Sequence, residues 1–233
     1  MDASTRVAAA VLAGGMGVRV GGAVPKAFRE VRGKPLILHS LLAFDAMPEV
    51  DAIRVAVPAE FASDWDRIAE SHLLRRYRGR VHGGVTRAES ALAVLRAMES
   101  DRPDLVLIHD AARPIVSNEE VRQLLEAASS ADGAILAARP VDTLWRVAKD
   151  GALVEVVDRT AVVRALTPQA FPYDVIREAY EAGMAEDFEG TDDASYVLRR
   201  GGRVLWVPGT SKNLKVTFPE DFVLMEAMMG KSE

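Results

Sequence analysis

Two stretches of this sequence carry residue types and spacings suited to holding a polyanion. The first runs Leu12-Ala13-Gly14-Gly15-Met16-Gly17-Val18-Arg19-Val20-Gly21-Gly22-Ala23-Val24-Pro25-Lys26. Glycines let backbone N–H groups approach phosphate oxygens closely and form an anion cradle. Arg19 adds a planar fork of donors and Lys26 a mobile point charge. Two common phosphate-loop patterns fail here. Counted from Gly15, Val20 stands where G-x-G-x-x-G needs its last glycine, and Gly17–Gly22 is followed by Ala23 instead of the lysine of G-x-x-x-x-G-K-[ST]. A flexible turn with two solvated cations is the alternative, but the position directly after the first apolar run favours function. The second stretch is Leu105-Val106-Leu107-Ile108-His109-Asp110-Ala111-Ala112-Arg113-Pro114. A carboxylate at the end of a buried strand is costly unless it binds something. A magnesium ion carried on nucleotide phosphates suits it, because hard cations take oxygen ligands. The alternative is that Asp110 caps a turn and pairs with Arg113. His109 by itself reads as a packed strand-end histidine. The four histidines, at 39, 72, 82 and 109, are too scattered for a metal cluster.

The elements that must position these groups follow from hydrophobic patterning. Short apolar runs predict strands at Val7–Leu12, Ile53–Val57, Leu105–His109, Gly133–Ala138 and Val204–Val207, with a shorter one at Arg80–His82. Helical patterns lie between them at Pro35–Ala46, Glu60–Glu70, Arg87–Met98 and Asn118–Ser129. Ser117 with Glu120 reads as a capping box, as does Thr217 with Glu220, which places Lys215 on a short strand ahead of an anchored helix. Pro35 suits a first helical turn. Thr191 is placed to cap a further helix, with acids in its first turn. Several strands are apolar throughout, which implies burial on both faces and an α/β domain with a mostly parallel sheet. Ligands in such sheets sit beyond the carboxyl ends of the strands, where both stretches fall. Residues 141–159 break the rhythm. Thr143–Ala148 and Ala152–Val157 flank Lys149-Asp150-Gly151, and Asp-Gly is a strong hairpin signal. Its Leu144, Trp145, Val147, Leu153, Val154, Val156 and Val157 must either pack on their own domain or find a partner chain.

Composition bounds the rest. The chain has 233 residues, 49% hydrophobic and 27% charged, with a formal net charge of -5, the balance of an ordinary globular protein. Without a linker or repeat it reads as one domain over residues 1–233. There is no cysteine, which rules out disulfides, thiolate metal sites and a cysteine nucleophile. The acidic balance argues against a nucleic-acid partner, since a basic footprint is expected there. No stretch approaches the ~20 apolar residues of a membrane span, so no membrane partner is expected. The short Val7–Leu12 run lacks the features of a signal peptide, and the expected location is cytoplasmic. A serine hydrolase would need G-x-S-x-G, which is missing.

The glycine loop with Arg19 and Pro25-Lys26 resembles the L-x-x-G-x-G-x-R-x(n)-P-K signature of nucleotidyltransferases that activate sugars and alditol phosphates. The string His109-Asp110-Ala111-Ala112-Arg113-Pro114 narrows this: the sequence is similar to the 2-C-methyl-D-erythritol 4-phosphate cytidylyltransferases of the non-mevalonate isoprenoid pathway. Gly83-Gly84-Val85-Thr86-Arg87-Ala88-Glu89-Ser90 resembles that family's G-G-x-x-R-x-x-S segment. Leu166-Thr167-Pro168-Gln169 and Thr191-Asp192-Asp193-Ala194-Ser195 resemble two more of its segments, and Asn213–Asp221 matches N-[IL]-K-[VI]-T-x-P-E-D. The match spans roughly Val7 to Glu226. Val18 and Ala27 depart from the usual residues without removing a required charge, while Val85 stands where the family usually has a charged or polar residue and so offers no such side-chain contact.

The resemblance implies a Rossmann-like, mostly parallel sheet of the nucleotide-diphospho-sugar transferase type with a projecting β-hairpin arm at 141–159. It implies cytidylyl transfer from CTP to 2-C-methyl-D-erythritol 4-phosphate, with Mg²⁺ near Asp110. Arg19, Lys26 and Lys215 would be the catalytic cations. Ala13, Gly14, Gly15, Gly17, Gly84, Ser90, Asp110 and Ala111 would bind CTP. Arg113, Thr167 and Thr191 would contact the alcohol phosphate, joined by Thr143 and Arg159 from the arm of a second subunit in a homodimer. On its residues alone, Thr143 reads as a strand-edge hydroxyl, and Arg87 as a surface residue at a helix start. Ribitol 5-phosphate cytidylyltransferase is the alternative within the class, and H-D-A-A-R-P favours the erythritol enzyme over the D-A-V-R-P of the ribitol family. A non-catalytic nucleotide-binding regulator is the alternative outside it, opposed by the joint presence of Arg19, Lys26, Asp110 and Lys215.

Overall fold

A computed structural model describes residues 4–14 and 24–230. Gly15, Gly17 and Arg19 lie outside the described residues. The strands are β1 (Val7–Leu12), β2 (Glu30–Val31), β3 (Lys34–Pro35), β4 (Ala52–Val57), β5 (Tyr77–His82), β6 (Leu105–Asp110), β7 (Gly133–Ala138), β8 (Leu144–Val147), β9 (Leu153–Val157), β10 (Arg164–Pro172) and β11 (Val204–Pro208). The helices are α1 (Leu36–Asp45), α2 (Ala62–Glu70), α3 (Arg87–Ala97), α4 (Asn118–Ala128), α5 (Tyr173–Ala185), α6 (Asp193–Arg199) and α7 (Pro219–Met228). Seven strands form one sheet in the order β11-β7-β10-β6-β1-β4-β5. Only β10 runs against its neighbours β6 and β7; the other pairs are parallel. This is the mostly parallel α/β fold expected. No helix among the described residues is long and apolar enough to cross a membrane.

Strand alternation explains the two layers of core. Val7, Ala9 and Val11 face one side with Ile37, Leu41, Phe44, Trp65, Leu124 and Leu125, from α1, α2 and α4. Ala8, Ala10 and Leu12 face the other with Leu92, Leu95, Ile176 and Tyr180, from α3 and α5, and Val197 from α6. Both faces of β1 are covered, which is why it reads as continuously apolar.

Register then builds the site. Leu12 lies opposite Asp110 on one side and Ala56 on the other, and Val57 pairs with His82. The loops after β1, β5 and β6 therefore emerge side by side. Two glycines allow the first two to touch. A Cβ on Gly83 would fall 2.7 Å from the Gly14 Cα, and one on Gly14 would fall 2.5 Å from the Ser90 Oγ.

Several local expectations need correction. Ser117 does accept from the Glu120 N–H, but the Glu120 carboxylate turns to the Thr210 N–H at 2.5 Å, so the box is only half formed. Thr191 does not cap α6. Asp192 does, accepting from the Ser195 N–H at 3.0 Å, because a carboxylate one residue closer reaches that orphan donor. At α7 the Asp221 carboxylate, not Glu220, accepts from the N–H groups of Thr217 and Phe218 at 2.7 and 2.8 Å. Pro35 sits just before α1 instead of inside it. A full box unforeseen in the sequence opens α3: Thr86 accepts from the Glu89 N–H, and Glu89 accepts from the Thr86 N–H.

The segment 141–159 does form a hairpin. β8 and β9 pair antiparallel as a sheet of their own, apart from the seven-stranded one. Gly151 holds its turn at a φ of 88°, and the Asp150 carboxylate accepts from the Ala152 N–H. Val147, Leu153, Val154 and Val156 are each more than half exposed, and Trp145 nearly so. Of the two outcomes open from sequence, the arm projects instead of packing down on its own domain.

Candidate active site

A cleft of about 250 Å³ opens at the carboxyl end of the sheet. Its described lining contains Ala13 and Gly14 after β1, Lys26, Arg87 and Ser90 of α3, Asp110 and Ala111 at the end of β6, and Lys215. Segments about a hundred residues apart meet there. The Val216 N–H donates to the Ala112 carbonyl at 2.9 Å, which draws the Lys215 segment onto the loop after β6.

Asp110 is the electrostatic centre of this lining. Lys215 Nζ donates to its Oδ2 at 2.5 Å, and Arg87 Nε donates to its Oδ1 at 3.0 Å. Burial would raise the Asp110 pKa, but the charges of Arg87 and Lys215 outweigh it and hold the carboxyl well below the ordinary carboxylate range. Asp110 therefore stays ionised at any working pH. The alternative pairing with Arg113 does not form. The Arg113 guanidinium donates to the Asn213 carbonyl at 2.8 Å instead, and only its backbone N–H returns to the Asp110 carbonyl.

Behind the cleft wall lies a buried polar network. The Thr167 hydroxyl accepts from the Asp110 N–H and contacts His109 Nδ1, both at 3.1 Å. His109 Nε2 contacts the Arg113 carbonyl at 2.9 Å. A carbonyl only accepts, so Nε2 carries the proton and Nδ1 accepts from Thr167. Burial is the main cause that pushes the His109 pKa down to about 4, so the ring is neutral near pH 7. The Asn213 side chain donates to the Thr167 carbonyl at 2.8 Å and closes the network. His109, read as a packed histidine, is one.

The expected residues among those described thus fall into four groups. Ala13, Gly14, Lys26, Ser90, Asp110, Ala111 and Lys215 line the cleft. Thr167 and Arg113 are buried in the supporting network. Gly84 lies at its margin, its N–H donating to Ser90 Oγ at 3.0 Å, while the Ser90 hydroxyl donates to the Thr86 carbonyl. Thr143, Arg159 and Thr191 are exposed and absent from the cleft lining, with Arg159 donating to the Val141 carbonyl at the base of the arm. From sequence Arg87 is placed only in a segment that lines or supports the site, with no role of its own, and Asp193, which binds it through both oxygens at 2.7 Å, is given none. They are 106 residues apart, and only the fold reveals the pairing. The nearest signal was R-x-x-S at a helix start, equally consistent with a surface arginine.

The lining also bears on a metal. Among the described residues no group of three His, Asp or Glu side chains could form a protein cage. Asp110 is the one carboxylate in the described cleft lining. One carboxylate fits Mg²⁺ delivered with phosphates, which commonly takes only one or two protein ligands.

The family model described as "2-C-methyl-D-erythritol 4-phosphate cytidylyltransferase" matches residues 7–231. A relative of that name from Geotalea uraniireducens is 41% identical over 96% of this chain and 97% of its own. One from Geobacter metallireducens is 40% identical over the same shares. A solved 4-diphosphocytidyl-2C-methyl-D-erythritol synthase from Anaerococcus prevotii superposes with a TM-score of 0.85 at 26% identity, over 97% of both chains. The 2-C-methyl-D-erythritol 4-phosphate cytidylyltransferase of Thermus thermophilus gives 0.74 at 32% identity, over 94% of this chain and 97% of that one. With a family match over almost the whole chain and relatives about 40% identical over nearly their full length, the chain belongs to the 2-C-methyl-D-erythritol 4-phosphate cytidylyltransferase family.

Proposed function

We propose that this chain transfers the cytidylyl group of CTP to 2-C-methyl-D-erythritol 4-phosphate, giving 4-diphosphocytidyl-2-C-methyl-D-erythritol and pyrophosphate. The observation that carries this reading is the convergence of Gly14, Lys26, Ser90, Asp110 and Lys215 on one cleft at the carboxyl end of the sheet. A phosphate oxygen of the alcohol attacks the α-phosphorus of CTP in line, and the α–β phosphoanhydride bond breaks to release pyrophosphate. The attacking phosphate is already ionised, so the step needs no general base. That suits a site whose histidine is neutral, buried and committed to Thr167 and Arg113. Catalysis is then positioning and charge stabilisation. Lys26 and Lys215, with Arg19 from the glycine loop, supply the positive charge. Ala13, Gly14, Gly15 and Gly17 cradle the triphosphate, while Gly84 and Ser90 read the nucleoside. Asp110 would hold Mg²⁺ as its protein ligand, and the metal would neutralise charge on the phosphates.

The acceptor side is built between subunits. Thr143 and Arg159 of a partner's arm meet the alcohol phosphate alongside Thr191, with Thr167 and Arg113 supporting from behind. The exposed apolar side chains of the arm support this homodimer. The acidic, cysteine-free composition supports a cytoplasmic enzyme, where disulfides are rare.

Pyrophosphate release from CTP, measured with methylerythritol phosphate and separately with ribitol 5-phosphate, tests the reading. Release with the first alone is expected. Release only with ribitol phosphate, or with neither, would reject it.

A further inference from the structure

Asp193 is fully buried, and both of its oxygens are occupied. Oδ1 accepts from Arg87 Nη1 at 2.7 Å and from the Tyr180 hydroxyl at 2.5 Å, while Oδ2 accepts from Arg87 Nη2 at 2.7 Å. This two-pronged pairing leaves the Arg87 Nε–H, which is the donor that reaches Asp110 Oδ1. One guanidinium thus joins a carboxylate that lines the cleft to one that does not. A buried ion pair adds little stability over well-packed apolar side chains. Its geometry is the more telling property.

We infer that Asp193 is a positioning residue for cytidylyl transfer, acting through Arg87 to fix the Asp110 carboxylate. The inference rests on the reading that Asp110 serves the triphosphate. A guanidinium free of Asp193 would turn its own fork to Asp110 and engage both oxygens, the preferred arginine–carboxylate geometry. It would then compete with Lys215 for Oδ2. With the fork occupied by Asp193, Arg87 commits a single N–H, and Oδ2 stays with Lys215.

The anchor is firm. Asp193 opens α6, whose N-terminus is capped by Asp192. Gln169 of β10 clamps the same turn, donating to Asp192 and accepting from the Ala194 N–H, both at 3.0 Å. Tyr180 of α5 stacks on Tyr196 with ring centres 4.2 Å apart. The orientation of Asp110 is therefore set partly by β10, α5 and α6, none of which contributes to the described cleft lining.

The experiment compares wild type, Asp193→Asn and Arg87→Lys with CTP and methylerythritol phosphate, after circular dichroism has shown each folded. For Asp193→Asn we expect kcat to fall roughly 10- to 100-fold and KM for CTP to stay within about threefold, the pattern of a lost transition-state interaction. Arg87→Lys lacks the fork, cannot serve both carboxylates, and should match it. The double variant should fall no further than either single one. A folded Asp193→Asn with kcat within about twofold of an active wild type would overturn the inference alone. So would a loss confined to thermal stability. If Asp193→Asn does not fold, the partly exposed Arg87 carries the test, and a near wild-type kcat for Arg87→Lys overturns the inference. A wild type that makes no product would instead reject the parent reading, and the inference with it.

Discussion

The cleft and the arm satisfy the same physical requirements in opposite ways. Around Asp110 the described charges have internal partners: Lys215 and Arg87 face the carboxylate, Asp193 completes Arg87, and the Tyr180 hydroxyl completes Asp193. The cost of burying ions is met inside one chain. The arm meets nothing comparable. Trp145, Val147, Leu153, Val154 and Val156 stand in solvent on a two-stranded ribbon, and such a ribbon is marginal by itself. A region whose buried charges are matched internally needs no second chain to hold its shape. A region with unfilled apolar surface points to a surface that another molecule must cover.

The largest effect expected is on the cleft. Lys215→Ala removes a cation from the transition state and should lower turnover by about 10²–10³. Arg19→Ala should do the same. In pyrophosphate-release assays on folded protein, near wild-type rates for both would place the chemistry elsewhere. Deleting residues 149–154 comes next and breaks the comparison from the other side. Sedimentation should show weakened dimers, and KM for the alcohol phosphate should rise about tenfold or more, since Arg159 would no longer be delivered. A deletion that stays dimeric and fully active would leave the arm without a role.

How much of this could be read from the chain depends on the range of the interaction. The cleft-lining Asp110 and Lys26 were legible because their neighbours in sequence carry the signal: an apolar run before one, a glycine loop before the other. The hairpin was legible from Asp150-Gly151, a purely local turn. β10 was not. It reads Arg-Ala-Leu-Thr-Pro-Gln-Ala-Phe-Pro, and a proline argues against a central strand. The structure accommodates Pro168 where pairing with β7 shifts between Ala165 and Gln169, so the missing N–H falls at an irregularity. Arg87–Asp193 was illegible for another reason. Neither residue's sequence neighbourhood encodes a partner 106 positions away.

Stability against acid gives a smaller and more selective test of the cleft's internal network. His109 has its pKa lowered from 6.5 to about 4, chiefly by burial. Between those values the unfolded chain binds a proton that the folded chain refuses. Falling pH therefore favours unfolding across this window. The contribution is fully present above pH 6.5 and gone below about 4, a loss of about 3 kcal/mol. Urea unfolding of the ligand-free protein at pH 7, 5.5 and 4.5 would measure it. His109→Gln should be less stable at pH 7 yet nearly flat over that range. An equally steep profile in the variant would assign the acid lability to other groups.

The finest test sets one substitution in each region against the other at nearly equal local cost. Thr86→Ala removes half of the capping box that opens α3, the helix carrying Arg87 and Ser90. Losing such a cap costs about 1 kcal/mol. Because α3 packs into the core through Leu92 and Leu95, the cost should appear in global unfolding as a lower urea midpoint. Gly151→Ala forces a Cβ onto a residue at a φ of 88° in the arm's turn, with no atom within 4 Å to clash with it. The strain is also about 1 kcal/mol, but it falls on a ribbon that pairs only with itself. In dilute protein the global midpoint should not move, while amide exchange across β8 and β9 should quicken. If Gly151→Ala lowered the midpoint as far as Thr86→Ala, the arm would be part of the cooperative core, and its exposed apolar side chains would need an explanation within the single chain.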